Sequence, residues 1–239
     1  MQGEMSEADF ISILKKGTEC TANFLARLTD YQGGAIKTEY LLTSDIARAF
    51  LNASYEVQVE CLNRKLVNGL TRRKGWSPPK KLGSQRIDVA VMDNGVVPQA
   101  IVEVKIGVGR NITKIRSDLE KIQITLDCIK AKFASSVRAA SVFQVHIKDR
   151  SKDIDTERLK RRIKVIEKSL QKAVDIYARD QPNFEFKIFP LQGPDSGFFA
   201  RNIEVEDDGT ETLGKFGCAT RYYAIVLRAI GGRCRPNLT

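Results

Sequence analysis

Residues 86–107, RIDVAVMDNGVVPQAIVEVKIG, constrain this chain more than any other stretch. Two runs rich in valine and isoleucine flank Asp93-Asn94-Gly95, and Asn-Gly accepts the positive φ angles of a tight hairpin corner. Three ionisable residues, Asp88, Glu103 and Lys105, interrupt strands otherwise made for burial. Charge inside a sheet is costly unless something compensates it, and a metal ion is one such partner.

Register decides how these groups meet. With Asn94 and Gly95 at the corner, Asp93 pairs with Val96, and Asp88 falls opposite Ile101, diagonal to Glu103. A bulge near Pro98, which cannot donate to the ladder, instead brings Asp88 directly across from Glu103. Either pairing puts Asp88, Glu103 and Lys105 on one face and Ile87, Val89, Val91, Val102, Val104 and Ile106 on the other, the expected core face. Carboxylates so placed have β-carbons roughly 5–8 Å apart. They repel when both are ionised, and a dication between them removes the repulsion. All-oxygen ligands suit Mg²⁺, with Mn²⁺ able to substitute. Lys105 projects beside such an ion, where it could orient or deprotonate a water or stabilise charge on a phosphate.

The surrounding pattern is α/β. SEADFISILKKG predicts a short helix capped by Ser6 and ending at Gly17, and a second follows up to Gly33 and Gly34. In KTEYLLTSDIARAFLN, Glu39, Leu42, Ile46 and Phe50 share one helical face. YEVQVEC alternates as a half-buried strand, with Glu56 and Glu60 read as surface residues. Residues 62–82 carry prolines and basic side chains and read as a mobile connection. Ile112 to Phe133 repeats apolar residues at steps of three and four, a helix; AASVFQVHI is a strand. A second long helix has Leu159, Ile163, Ile166, Leu170, Val174 and Tyr177 inside and Arg158, Lys160, Arg161, Arg162, Lys164 and Lys168 outside. FEFKIFPL and RYYAIVLRAI are strands, joined by what reads as an irregular loop.

Asp88 followed by Glu103-Val104-Lys105 resembles the PD-(D/E)xK nuclease superfamily, the fold of restriction endonucleases. The element order between Lys37 and Ile147 agrees with it. The resemblance implies a restriction-endonuclease-like central mixed sheet flanked by helices (37–147). Extra N-terminal helices (1–36) and a C-terminal helix/strand extension (148–239) would complete a single domain. It implies a Mg²⁺-dependent deoxyribonuclease, an endonuclease of restriction or anti-phage type, with Asp88, Glu103, the Val104 carbonyl and Glu39 holding metal and Lys105 positioning the nucleophile. Double-strand cleavage favours a homodimer. Ile87 stands where the motif name has proline. The downstream Gln-xxx-Tyr of the processive exonuclease branch is absent, since Gln123 is followed at that spacing by Asp127.

Charge and composition point the same way. A formal net charge of +10 and a pI near 9.4 favour a polyanionic partner. Arg64, Lys65, Arg72, Arg73, Lys74, Lys80, Lys81 and Arg86 could grip a DNA backbone, and Trp76 could stack on a base. One histidine and five scattered cysteines exclude a two-histidine zinc site and a disulfide framework. His146 reads as a strand residue. No apolar run approaches the roughly 18 residues of a membrane span, and the acidic start is no signal peptide, so a cytoplasmic protein is expected. Two rivals remain: a nuclease-fold module that binds nucleic acid or a protein without cutting, and a structural protein whose charged hairpin is a salt-bridge network.

Overall fold

The computed structural model describes residues 4–28, 38–67, 85–93, 97–108, 112–129, 134–149, 155–194, 196–201 and 216–230. Its elements are α1 (Glu7–Leu28), α2 (Thr38–Asn52), β1 (Glu56–Leu62), α3 (Asn63–Val67), β2 (Arg86–Asp93), β3 (Val97–Lys105) and α4 (Thr113–Cys128). Then come β4 (Arg138–Asp149), α5 (Thr156–Arg179), β5 (Phe184–Pro190), β6 (Phe198–Arg201) and β7 (Phe216–Ala229). The seven strands form one mixed sheet in the order β1-β2-β3-β4-β7-β5, with β6 also on β7. Only β3 and β4 run parallel, joined through α4, because parallel neighbours need a crossover connection.

Apolar clusters cover both sheet faces. On one, Phe10, Ile13 and Leu14 of α1 and Leu42, Ile46 and Phe50 of α2 pack on Val89, Val91, Val102, Val104 and Val142. On the other, Ile115, Leu119, Ile122 and Leu126 of α4 and the whole predicted stripe of α5 pack on Ala90, Met92, Ile101, Phe143 and Ile225. The result is an α/β/α sandwich. The expectation of one apolar and one charged hairpin face is thus corrected: Asp88 and Glu103 open onto a face that is itself core further along, and Ile87 belongs to that α4-side cluster.

Further expectations change. The N-terminal segment is one helix through Gly17, not two. A Cβ on Gly17 would lie 2.8 Å from the Ile46 Cα, so glycine here permits close approach of α1 to α2 rather than ending a helix. Ser6 does cap α1, its Oγ accepting the Asp9 N–H at 3.0 Å. α3 forms inside the stretch read as a mobile connection, and β6 inside the stretch read as loop. α4 stops at Cys128, because Ile129 turns extended (ψ 140°) while remaining fully buried. The C-terminal segment joins the sheet itself: β7 pairs with β4 from Ala139↔Leu227 to Asp149↔Gly217. Among the described residues no helix is long and apolar enough to cross a membrane.

Candidate functional site

The β2–β3 register fixes the site. Val89 pairs with Val102, Ala90 with Ile101 and Val91 with Ala100, then a bulge shifts the ladder so that Met92 meets Pro98 and Asp93 meets Val97. The extra residue is Gln99, beside the proline. Residues 94–96 lie outside the described residues, but the pairing of Asp93 with Val97 rather than Val96 selects the bulged alternative. Continued one step beyond Val89↔Val102, the same register sets Asp88 opposite Glu103, and Asp88 lies close enough to act on the Glu103 charge.

Here the two strands stop exchanging ordinary ladder bonds. The Val104 N–H donates instead to Asp88 Oδ2 at 2.7 Å. In an extended strand a residue's N–H and C=O point toward the same neighbour, so the Val104 carbonyl also faces the Asp88 side. Glu103 is 2 % exposed. Its Oε2 meets Lys121 Nζ of α4 at 2.6 Å, while Oε1 is buried without a hydrogen-bond partner among the described residues. Burial, then repulsion from Asp88, raises the Glu103 pKa to about 9, and Lys121 does not offset them. Asp88 is also raised, chiefly by burial, against the Val104 hydrogen bond and Lys121, with Glu60 and Glu39 adding to the rise.

Sequence reasoning missed two residues here. Asp118 and Lys121 lie three apart on α4 and so share a side of the helix. Asp118 Oδ2 is a second buried carboxylate oxygen without a partner among the described residues. Burial raises its pKa despite Lys121 and Lys105, and Asp88 and Glu39 reinforce the shift. The available signal was positional: a helix that carries the chain from β3 to β4 must lay one polar edge near Glu103. Attention to its apolar stripe hid that edge.

Lys105 and Glu39 meet at the end of β3, with Lys105 Nζ 3.6 Å from Glu39 Oε1. Burial works against the Lys105 ammonium, but Glu39, Asp118 and Asp88 outweigh it and its pKa lies above the ordinary lysine value. Lys105 is therefore a resident cation rather than a ready base. Glu60 is exposed, as expected of a strand-surface residue, yet it adopts φ +52°. It sits between the pairs Val59↔Val89 and Cys61↔Ile87, and so opposite Asp88. Left-handed backbone at a non-glycine strand residue is strained.

The residues fit a small oxygen-ligated dication. Mg²⁺ is commonly held by one or two carboxylates plus waters, and the orphaned Glu103 Oε1 beside Asp88 and the Val104 carbonyl supplies such a set. Among the described residues, no three His, Cys, Asp or Glu side chains gather as a ready-made metal cluster. Asp88 Oδ2 and Glu103 Oε2 are turned to Val104 and Lys121.

Of the expected DNA contacts, Lys65 on α3 and Arg86 at the start of β2 are exposed. Arg64 lies on α3, with its side chain outside the described residues, as are Arg72, Arg73, Lys74, Trp76, Lys80 and Lys81 entirely. Of the basic residues expected outside α5, Arg158 and Arg162 turn instead onto the buried Asp149 of β4, at 3.2 and 2.7 Å. His146 is a β4 strand residue whose Nδ1 lies 2.8 Å from Thr220 Oγ1. Gln123 faces away from the site: its Oε1 accepts from Tyr177 Oη at 2.6 Å and its Nε2 donates to Gln181 at 3.1 Å, tying α4 to α5. No family model, no curated protein and no solved structure matches this chain.

Proposed function

We propose that the chain is a Mg²⁺-dependent deoxyribonuclease with a restriction-endonuclease-like core, its site formed by Asp88, Glu103 and Lys105. The observation that carries this reading is Glu103. An acid 2 % exposed, with one oxygen lacking a partner among the described residues and with Asp88 close enough to raise its pKa, is unfavourable in a merely structural role. Acids held close together at a buried strand end, with pKa values raised by burial and by one another, support a cation site.

Asp88 and Glu103 would hold the ion with the Val104 carbonyl. Held there, Mg²⁺ would supply Lewis-acid polarisation of a phosphate oxygen and would make a neighbouring water more acidic. Lys105, kept protonated by its acidic neighbours, stabilises charge developing on the phosphate, and Glu39 fixes the direction of its ammonium. The basic excess of the chain supports a nucleic-acid backbone as substrate, and a homodimer would place one site on each strand of a duplex. Restriction or anti-phage defence is the setting that the resemblance to the PD-(D/E)xK superfamily suggests.

Incubation of supercoiled and linear DNA with the protein in Mg²⁺, Mn²⁺ or EDTA tests this. Metal-dependent nicking or linearisation that disappears in Glu103→Gln supports it; intact DNA under all conditions refutes it. One observation favours a second reading, a nuclease-fold module that binds without cutting: the lysines are paired with the carboxylates, Lys105 with Glu39 and Lys121 with Glu103. Such a module would shift DNA in a gel with no dependence on metal.

A further inference from the structure

Lys121 is the least exposed lysine in an ion pair among the described residues, with 14 % of its side chain accessible. Its Nζ makes two short contacts, to Glu103 Oε2 at 2.6 Å and to the Arg86 main-chain carbonyl at 2.8 Å. It therefore bridges three elements: α4, which carries it, the ExK strand β3, and the first residue of the Asp strand β2. Its charge is also felt by Asp88 and Asp118. Asp88 and Asp118 both act on Glu103 through their charge, and Glu103 and Asp118 each keep a buried oxygen without a partner among the described residues.

We infer that Lys121 is the built-in counter-cation of the metal-free site, a positioning residue that holds Glu103 and the start of β2 in place and competes with the dication for Glu103. The inference rests on the cation-site reading of Asp88 and Glu103. Bonded to both Glu103 Oε2 and the Arg86 carbonyl, the ammonium ties β3 to the start of β2, and it offsets the repulsion between Glu103 and Asp88 whenever Glu103 gives up its proton. The same ammonium repels a dication entering a few ångströms away. Lys121 thus trades metal affinity for order at this strand end. Lys105 cannot take over this task, since its ammonium pairs with Glu39 at the strand end.

The test is titration of the intact protein with Mn²⁺ alone, followed calorimetrically, for wild type, Lys121→Met, Lys121→Gln and Lys121→Arg, with thermal midpoints in EDTA and in saturating Mn²⁺. Lys121→Met and Lys121→Gln are expected to bind Mn²⁺ at least about tenfold more tightly than wild type. They should unfold at lower temperature in EDTA and recover the difference in Mn²⁺. Lys121→Arg, which keeps the charge, should stay near wild type in both. The glutamine variant retains a donor for the Arg86 carbonyl, so it carries the test if the methionine variant does not fold. Mn²⁺ binding that is unchanged or weaker in the charge-removing variants overturns the inference and leaves the cation site standing. Failure of every protein to bind Mn²⁺ overturns the cation site itself.

Discussion

Replacing Glu103 with glutamine should stabilise the metal-free protein while abolishing cleavage. The carboxyl has an ordinary pKa of 4.5 when the chain is unfolded and about 9 in the fold. Below pH 4.5 both states hold the proton and the residue costs nothing. As pH rises, the unfolded chain releases the proton and the folded chain keeps it, so folding becomes less favourable until the folded pKa is passed. At pH 7 this gap corresponds to about 3 kcal/mol, taking roughly 1.4 kcal/mol per pH decade. Glutamine has nearly the shape of the protonated acid, still accepts from Lys121, and does not titrate. Urea unfolding in EDTA at pH 4.5, 7 and 9 should show the two proteins equal in acid, with the variant ahead by up to about 3 kcal/mol at neutrality and more at pH 9. Magnesium should narrow the gap by stabilising only the wild type. A difference between the proteins that stays constant across this pH range would refute the reasoning.

Other substitutions probe the frame and the site separately. Gly17→Ala adds a Cβ 2.8 Å from the Ile46 Cα; the roughly 1 kcal/mol gained in helix propensity is outweighed by overpacking of about 1–3 kcal/mol, and a lowered urea midpoint checks it. Glu60→Gly should be more stable than Glu60→Ala by about 1 kcal/mol, because only glycine is relaxed at φ +52°, and paired denaturation curves decide it. Asp88→Asn and Lys105→Ala should each lower plasmid cleavage by at least about a hundredfold with unchanged far-UV circular dichroism. Cleavage that survives both removes this strand end from contention as the active site.

The long helices and inner strands were legible because their periodicity is imposed by burial. The α5 stripe from Leu159 to Tyr177 is buried residue for residue as its spacing requires, and Leu42, Ile46 and Phe50 lie where α2 needs them. The facing of Asp88 and Glu103 was legible as one of two registers, since Pro98 signals a bulge without fixing it. Where a residue serves a distant partner, local pattern misleads. Gly17 reads as a helix end until Ile46 is seen against it, and Glu60 reads as plain strand surface until its backbone is known. Asp118 and Lys121 were missed for a related reason: their cue lies in how α4 crosses over β3 between β3 and β4, not in any local spacing.

The pairing of β4 with β7 has a consequence for synthesis. Ala139 bonds across to Leu227, so the strand that supports the ExK strand finds its second neighbour only when residues 216–229 have left the ribosome. At about 5–20 residues per second, several seconds pass in which that edge stands open. Over this interval nascent chains are exposed to edge-to-edge association, and a chain arrested before residue 216 would have no means of closing it.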